Sequence, residues 1–255
     1  MRADKQPTFA SGADSWSTQA CAERYDREGN GRFYRTAIRR LLEGAPELVG
    51  RGLDLGCGTG FSTEVLVKAQ PRVEWQGVDC SAAMLEIARK KAELAQVDLR
   101  HARAEALPFA EGSFDVVVAS FSWHWFGNNA GPEVRRVLRR GGWLPAAVPV
   151  RHLSNARGNR LLARELLASR RRFVLRQSQG LRITDVSKIL PPPVRVAHQE
   201  LVIEHERFAD GRELLDVLGS RGALAAIFGS APPTAFAASG ALDFEWPFVV
   251  LHLQV

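Results

Sequence analysis

The segment LDLGCGTG, residues 53–60, constrains the fold of this 255-residue chain more than any other. An apolar run precedes it and a helical pattern follows, so its glycines form the turn between a strand and a helix. Glycines there permit positive φ angles and let backbone N–H groups approach a ligand closely. The G-x-G-x-G spacing differs from the G-x-G-x-x-G of dinucleotide sites, and no Lys-Ser/Thr pair completes a P-loop. The segment therefore predicts a ligand-binding turn in an α/β protein.

Two acidic residues stand where such a turn can use them. Asp54 directly precedes the glycines, and its carboxylate can accept hydrogen bonds from loop amides or from a cationic ligand. A sulfonium cofactor with an amino-acid tail suits that position better than a pyrophosphate. Asp79 ends the next predicted strand, where a doubly wound nucleotide site carries the acid that binds both ribose hydroxyls. The alternative is that Asp79 only caps the next helix; we favour the ribose role.

Residues 50–150 alternate between strand and helix patterns. The run FDVVVA, residues 114–119, is continuously apolar, as in a strand buried on both faces of a parallel sheet. The predicted strands are 52–55, 73–78, 97–101, 114–119 and 143–150, and the predicted helices are 63–69, 82–95 (capped by Ser81) and 133–139 (stopped by Gly141 and Gly142). Five strands that alternate with helices predict an open, doubly wound α/β sheet.

The flanking regions follow other patterns. Helical spacing predicts a helix over residues 32–42 ahead of the first strand. Beyond residue 150 an Arg-rich helical stretch runs over 159–176, and the triple proline 191–193 interrupts the chain. A strand over 194–203, a helix over 211–218 and a final strand over 244–255 follow. Pro247 in that last strand suits a sheet edge or a strand start.

Composition excludes several classes of protein. The net charge is +6 with a pI of about 9.7, and Arg accounts for most of it, so the charge is weak evidence for an anionic partner. Three scattered cysteines predict no disulfide framework and a reducing, cytoplasmic location. The chain contains no apolar run long enough for a membrane span and no signal-peptide core near its start. Six scattered histidines predict no metal site.

Four stretches together resemble class I S-adenosylmethionine-dependent methyltransferases of the large type 11 group of small-molecule enzymes. They are LDLGCGTG, GVDCSAAMLEIARKKA, AEALPFAEGSFDVVVAS and RRVLRRGGWL, in the family's order and spacing within residues 51–145. The segment AERYD, residues 22–26, is also similar to the malonyl-carrier-protein and trans-aconitate O-methyltransferases. The resemblance implies a doubly wound, mostly parallel, seven-stranded Rossmann-like sheet with a helical lid insertion. It also implies S-adenosyl-L-methionine as the cofactor.

The resemblance further implies roles for single residues. Four parts of the family's cofactor site have counterparts in this chain. They are the loop under the methionine portion, the acid that binds the ribose, the contacts to the adenine, and a carbonyl that holds the cofactor's ammonium. Tyr25 is placed to reach the cofactor carboxylate and help close the site. The loop residues are Asp54, Gly56, Cys57, Gly58 and Gly60, the ribose acid is Asp79, the adenine contacts are Cys80, Ala104 and Glu105, and the carbonyl is that of Ser120.

One departure from the family pattern concerns the adenine. Many relatives have Gly-Asp-Ala where this chain has Ala102-Arg103-Ala104, and an arginine cannot accept a hydrogen bond from the adenine amino group. Glu105 or a backbone carbonyl takes over that role, or packing alone holds the ring. We expect an unchanged pose of the cofactor and a lower affinity for it.

The segment that follows the fourth predicted strand is placed to line an acceptor pocket. Trp123, His124 and Trp125 come just beyond the carboxyl end of the strand, where open α/β sheets bind ligands. His124 is the candidate general base of the reaction, and its alternative role is packing, which we favour. The insertion from Arg157 to Arg176, with its cluster 170–172, is expected to form a lid. Its charges predict either a solvated face or a dock for an acidic partner.

We therefore predict a single methyltransferase domain over residues 1–255. It comprises an N-terminal helical cap (1–50), the cofactor core (51–150), the lid insertion (151–193) and the C-terminal part of the sheet (194–255). The predicted function is methyl transfer to the O, N or C atom of a small-molecule or carrier-bound metabolite by in-line displacement. The predicted partners are a small molecule or an acidic acyl carrier protein, without membrane or nucleic acid; the sequence leaves the oligomeric state open.

Two alternatives for the function remain open. An RNA or protein methyltransferase would suit the basic charge, although the chain has no asparagine-proline-proline-type motif after the fourth strand and no added RNA-binding module. A cyclase or a regulatory protein that keeps the cofactor without transferring its methyl group is the other, because fold does not fix function.

Overall fold

The computed structural model describes residues 18–45, 47–150, 156–168, 189–221 and 239–255. Within these ranges the helices are α1 (Gln19–Tyr25), α2 (Glu28–Leu42), α3 (Phe61–Ala69), α4 (Ala82–Arg89), α5 (Ala130–Val137), α6 (Arg157–Ala168) and α7 (Gly211–Ser220). The strands are β1 (Gly50–Leu55), β2 (Val73–Asp79), β3 (Asp98–His101), β4 (Phe114–Ser120), β5 (Leu138–Pro149), β6 (Arg195–Phe208) and β7 (Leu242–Gln254).

The described strands form one sheet in the order β3-β2-β1-β4-β5-β7-β6. The first five pair in parallel, and β7 runs antiparallel between β5 and β6. The predicted doubly wound, mostly parallel sheet is confirmed. The strand order reverses between β1 and β4, so the carboxyl ends of these two strands open the crevice in which such sheets bind ligands.

Both faces of the sheet are covered, which explains the continuous apolar run of β4. Val117 and Ala119 belong to the hydrophobic cluster on one face, and Val116 and Val118 to the cluster on the other. Ile38 of α2 is fully buried in the second cluster. The helical spacing that predicted a helix over 32–42 therefore reflects a face packed on the sheet, and α2 extends four residues further toward its N-terminus.

Two predicted helix ends differ from the structure. The helix predicted over 82–95 ends at Arg89, and a separate 3₁₀ turn covers Ala92–Leu94. Between them Lys91 adopts an extended conformation and directs its ammonium to Asp26 and Glu64. The two acidic partners thus favour the interruption of the helix.

The second difference concerns Gly141 and Gly142, which do not stop a helix. Helix α5 ends at Val137, and Leu138 already pairs with Phe114 as the first residue of β5. The glycines lie in an irregularity of β5, after which the pairing resumes with Val116 opposite Trp143.

Pro247 lies inside β7 rather than at its start, and β7 is not an edge strand. Its carbonyl accepts a hydrogen bond from the Val150 N–H, 3.2 Å away. Because the N and C=O of one strand residue point to the same side, the Pro247 nitrogen faces the end of β5 and not β6. The ladder to β6 therefore loses no hydrogen bond, and the proline is tolerated where pairing with β5 begins.

Candidate functional site

The glycine turn after β1 is anchored to β2 through its backbone. The N–H groups of Gly56 and Cys57 both donate to the carbonyl of Val78, at 2.7 and 3.0 Å. Gly56, Gly58 and Gly60 all have positive φ angles, of 75°, 56° and 95°. A Cβ atom on Gly56 would lie 2.4 Å from Cβ of Ser122, so this position requires glycine for space as well as for conformation.

Asp79 connects the turn to the next helix. Its Oδ2 accepts from the Gly58 N–H and its Oδ1 from the Ser81 N–H, both at 2.8 Å. The side-chain cap of α4 is the hydroxyl of Ser81, which accepts from the Met84 N–H at 3.2 Å. Burial raises the pKa of Asp79, and the two backbone donors offset part of that rise. Since each carboxylate oxygen has a second lone pair, Asp79 retains acceptor capacity for a ribose hydroxyl.

Asp54 is completely buried at the carboxyl end of β1. Its Oδ2 accepts from the hydroxyls of Ser62 (2.6 Å) and Thr63 (2.7 Å) in the first turn of α3. Its Oδ1 has no partner among the described residues. Burial raises the pKa of Asp54 to about 6, against the lowering effect of the two hydroxyls. The sequence predicted acceptance from loop amides or a ligand; the observed donors are helix hydroxyls, and one oxygen is left for a ligand.

Buried polar atoms without partners gather around this turn. In the described part of the chain they are Asp54 Oδ1, Thr59 Oγ1, Ser120 Oγ and Gln76 Oε1. The first three belong to the end of β1, the turn itself and the end of β4, which pairs with β1. Buried polar groups normally find partners, so such a group of three calls for a ligand. An ammonium donates and the hydroxyls accept or donate, so these residues fit the amino-acid end of S-adenosylmethionine.

Tyr25 lies beside the turn, as predicted for a residue that closes the site. Its Cε1 would be 3.7 Å from a Cβ on Gly58, and its ring packs at 5.2 Å from that of Tyr34 and 5.8 Å from that of Phe61. Burial raises the pKa of Tyr25 well above its ordinary value, and the interaction of its hydroxyl with Tyr34 adds to that rise, so the hydroxyl stays protonated.

Sequence reasoning missed the partners that hold Tyr25. Asn30 donates through Nδ2 to the Tyr25 carbonyl at 3.0 Å. Tyr34, which interacts with the Tyr25 hydroxyl, is nearly buried at 9% exposure. The sequence predicted that Tyr34 lies in a helix over residues 32–42. No pattern in the sequence, however, indicated that this helix packs beside the glycine turn.

The predicted adenine region divides into buried and exposed residues. Cys57 is buried, with its Sγ near Gly77 of β2, so only its backbone can face a ligand. Cys80 is exposed directly after Asp79, and its carbonyl lies 2.8 Å from His101 Nε2. Ala104 is 5% exposed and packs in the core.

Glu105 connects two loops instead of standing free for the adenine. Its Oε1 accepts from the Gly127 N–H at 2.5 Å, and its Oε2 lies 3.3 Å from Arg103 Nε. The arginine that replaces the usual acid therefore pairs with the residue expected to compensate for it. The sequence left three ways to hold the adenine: Glu105, a backbone carbonyl, or packing alone. The observed contacts of Glu105 make it the least suited to accept from the adenine amino group.

The carboxyl end of β4 carries the predicted acceptor residues. Phe121 has a φ of 53°, in the left-handed region, and the Ser122 hydroxyl donates to the Leu55 carbonyl at 2.7 Å. Both observations describe a sharp turn that directs the chain across the end of β1. Backbone strain of this kind in a non-glycine residue is common at functional sites.

The three aromatic residues that follow, Trp123–Trp125, form one 3₁₀ turn with different environments. Trp123 is 7% exposed and packs in the core cluster, so most of its ring serves the fold. His124 is exposed, with its ring 4.8 Å from that of Trp125, and no described residue hydrogen-bonds it. Desolvation lowers the pKa of His124 from 6.5 to about 4. The imidazole is therefore neutral at neutral pH.

Two general features concern the described residues as a whole. None of their helices is both long and apolar enough to cross a membrane. In the same ranges no three His, Cys, Asp or Glu side chains lie together as metal ligands would. The cluster 170–172 and most of the predicted lid lie outside the described residues.

Comparisons with known proteins agree with this geometry. A family model described as a methyltransferase domain matches residues 53–142. Demethylmenaquinone methyltransferase of Thermus thermophilus is 39% identical over 44% of this chain, and malonyl-acyl-carrier-protein O-methyltransferase of Alcanivorax borkumensis is 36% identical over 46%. The chain spans 52% and 40% of the length of these two relatives.

A longer match extends beyond the cofactor region. Phthiotriol/phenolphthiotriol dimycocerosates methyltransferase of Mycobacterium leprae is 30% identical in an alignment of 198 positions that covers 71% of each chain. Among solved structures, a SAM-dependent methyltransferase from Aquifex aeolicus superposes with a TM-score of 0.57 at 14% identity, over 93% of this chain and 99% of that chain. The likeness to that structure concerns the fold.

Proposed function

This chain belongs to the S-adenosylmethionine-dependent methyltransferases, and from that premise we propose that it methylates a small-molecule or carrier-bound metabolite. The observation that carries the proposal is that three buried polar atoms without a partner among the described residues, on Asp54, Thr59 and Ser120, belong to the glycine turn and to the ends of β1 and β4 beside it. Bound S-adenosylmethionine supplies a methyl group on a sulfonium, which is already a good leaving group. The protein therefore has to bind, align and exclude water, and needs no nucleophile of its own.

The proposed cofactor contacts use the acceptor and donor atoms that the described protein residues leave available. Asp54 Oδ1 would accept from the cofactor's ammonium, together with the Ser120 carbonyl. Asp79 would accept from the ribose hydroxyls while it keeps the Gly58 N–H in place. The exposed side of Cys80 would pack on the adenine. These roles explain why Asp54 is buried at the end of β1 although no described cation forms an ion pair with it.

The proposed acceptor side lies beyond the ends of β4 and β7, where aromatic rings cluster. Phe121 packs against Phe33, Tyr34 and Phe248, with ring centroids 5.0 to 5.7 Å apart, and Trp246 lies 5.8 Å from Phe33. Such a wall excludes water from the reacting atoms. His124 would line the entrance by packing, since a pKa lowered to about 4 makes its imidazole a weak proton acceptor.

Helix α6 supports a carrier-bound acceptor as one form of the substrate. Arg157, Arg160 and Arg164 are exposed at spacings that place them on one side of the helix. Arg160 and Arg164 form no ion pair with any described residue. Exposed arginines that form no ion pair within the described ranges favour an acidic partner such as an acyl carrier protein. The alternative is a solvated helix face.

The two forms of substrate can be separated by charge reversal. In the variant Arg160→Glu with Arg164→Glu, we expect methylation of a carrier-bound acyl substrate to fall about tenfold through KM, because complementary charges mainly affect association. Methylation of the corresponding free acid should not change. Arg72→Glu, an exposed arginine at the other end of the sheet, is the matched control. Equal loss in the variant and the control would leave α6 as a solvated face.

The proposed function itself is tested in two steps. Binding of S-adenosylhomocysteine is measured first by calorimetry, and release of methyl from labelled cofactor is then measured with carrier-bound acids, free carboxylic acids and phenols. Tight binding without methyl loss on any acceptor would favour a cyclase or regulatory role. A preference for RNA whose affinity falls steeply with salt would favour the RNA methyltransferase alternative.

The organisation of the chain follows the same proposal. We propose one methyltransferase domain in which residues 1–50 act as a cap and 151–193 as a lid over the acceptor. A cytoplasmic location remains the prediction from cysteine usage.

A further inference from the structure

Arg221, the residue that follows α7, is a buried cation outside the cofactor contacts described above. Its side chain is 4% exposed. The guanidinium lies against two aromatic rings, 4.1 Å from the centroid of Phe33 and 4.4 Å from that of Trp246. Both contacts are within the range of cation–π attraction, which adds to the hold on the group.

The edge of the same guanidinium is used for hydrogen bonds. Nη1 and Nη2 bond the two oxygens of Glu206, at 2.9 and 3.2 Å, and Trp246 Nε1 donates to Glu206 as well, at 2.8 Å. Nε donates to Asn30 Oδ1 at 3.1 Å. Arg221 thus joins β6, β7 and the start of α2, which are far apart in the sequence. A buried charge with this many partners has little freedom to move.

Asn30 continues the connection to the glycine turn. Its Oδ1 accepts from Arg221 while its Nδ2 donates to the Tyr25 carbonyl at 3.0 Å. Nδ2 also lies 2.9 Å from the Ser220 hydroxyl. Asn30 is 3% exposed, so no water competes for these bonds. A continuous set of hydrogen bonds therefore runs from Glu206 on β6 to the tyrosine beside Gly58.

The other contacts of α1 with this side of the molecule are weaker. Asp216 of α7 pairs with Arg24 and Arg27, but its side chain is 50% exposed and both arginines are exposed as well. Exposed ion pairs contribute little to positioning. On the opposite side Lys91 holds Asp26 at 2.9 Å. Arg221 is thus the buried anchor of α1 toward β6 and β7.

We propose that Arg221 is a positioning residue of the cofactor site, which fixes Asn30 and thereby holds Tyr25 over the glycine turn. This inference rests on the proposed function, because it assigns Tyr25 to the cofactor. It makes β6 and β7, of which β7 contributes Trp246 and Phe248 to the proposed aromatic wall, part of the structure that positions Tyr25 at the cofactor site. Loss of Arg221 should then weaken cofactor binding without any lost contact to the cofactor.

The first test uses the protein without ligand. Hydrogen exchange of the amides of residues 22–31 should accelerate in Arg221→Met, while exchange of β4 stays as in the wild type. Arg212→Met, an exposed arginine of α7, is the control and should change neither. Unchanged exchange of residues 22–31 in Arg221→Met would overturn the proposal, as would equal acceleration in β4, which indicates general destabilisation.

The second test is a double-mutant cycle on the affinity for S-adenosylhomocysteine. Arg221→Met should weaken binding about tenfold in the wild-type background and less than about twofold once Tyr25→Leu has removed the side chain that it positions. In an Asp54→Asn background the loss should stay about tenfold, because Asp54 is held by Ser62 and Thr63 of α3 and not by Tyr25 or Asn30. Equal losses in all three backgrounds would overturn the proposal.

A separate variant covers the case in which Arg221→Met does not fold. Asn30→Ala breaks the link to Tyr25 and leaves the pair of Arg221 with Glu206 intact, and it should reproduce both results. Arg221→Lys keeps the charge but cannot bond both oxygens of Glu206 and Asn30 Oδ1 at once, so it should restore binding only in part. If the wild type itself fails to bind S-adenosylhomocysteine, the proposed function is wrong, and the exchange experiment still decides whether Arg221 holds Tyr25.

Discussion

Asp54 makes cofactor affinity depend on pH in a way that can be worked out from its surroundings. Burial raises the pKa of this carboxyl to about 6 in the ligand-free protein. If its unpartnered Oδ1 accepts from the cofactor's ammonium, only the ionised form binds well. Cofactor binding then requires Asp54 to lose its proton wherever it is protonated. The free energy of this deprotonation weakens binding more and more as the pH falls below about 6.

The magnitude follows from that pKa. With a pKa of about 6, roughly a tenth of Asp54 is ionised at about pH 5 and nearly all of it at about pH 8. The dissociation constant for S-adenosylhomocysteine should therefore rise about tenfold between these two pH values, which corresponds to about 1.4 kcal/mol. At about pH 6 close to half a proton should be released for each ligand bound.

Calorimetry in buffers of different ionisation enthalpy measures both quantities in one series. Asp54→Asn is the matched control, since its amide oxygen can still accept from Ser62 and Thr63 but does not titrate. The variant should bind more weakly at about pH 8 and lose the tenfold dependence. A wild-type affinity that stays flat from about pH 8 to pH 5 would refute the reasoning, and so would the same slope in the variant.

The same pKa affects stability in the opposite direction: a higher pH favours cofactor binding but lowers the free energy of unfolding. The folded-state pKa is raised from 3.8 to about 6, so the folded protein without ligand binds the proton more tightly than the unfolded chain does. The unfolding free energy of the wild type should therefore fall, relative to Asp54→Asn, as pH rises from about 4 to about 6, by at most about 3 kcal/mol. Denaturant titrations at these pH values measure the difference, and parallel curves for the two proteins would contradict it.

Three further predictions concern single positions of the site. Asp79→Ala should weaken cofactor binding by about 1–3 kcal/mol through lost hydrogen bonds to a charged group, and unchanged affinity by calorimetry would contradict the ribose assignment. Gly56→Ala should lower the melting temperature markedly, because its Cβ would meet Ser122, whereas Gly58→Ala, which meets only Tyr25 at 3.7 Å, should affect cofactor affinity more than stability; the reverse ranking would contradict the account of the turn. His124→Ala should leave the methylation rate at saturating substrate within about twofold, and a loss of about a hundredfold or more would reinstate it as the general base.

The cofactor half of the molecule was predictable because its signals are local. A strand, a glycine turn and a helix follow one another in the sequence, and the φ angles of Gly56, Gly58 and Gly60 are properties of single residues. The position of Asp79 follows from the length of one βα unit. Where local prediction failed, a distant contact was responsible: Lys91 leaves the helical course to reach Asp26, 65 positions away.

The contacts of the C-terminal part of the sheet were not predictable, because they join residues that are far apart in the sequence. Arg221 and Asn30 are 191 positions apart, and no spacing in the sequence indicates that they meet. Pro247 was expected at an edge because proline disrupts ladders, and only the pairing of β7 with both neighbours shows on which side its nitrogen lies.

The sequence by itself determined the segment LDLGCGTG as a turn for a methyl donor, since backbone conformation and residue type fix that turn locally. The tertiary structure alone decided that one oxygen of Asp54 is buried without a partner, because that depends on which hydroxyls α3 brings to the end of β1. It also decided that Tyr25 is held over the turn from the far edge of the sheet, because hydrogen bonds between distant segments form only once the strands are in order.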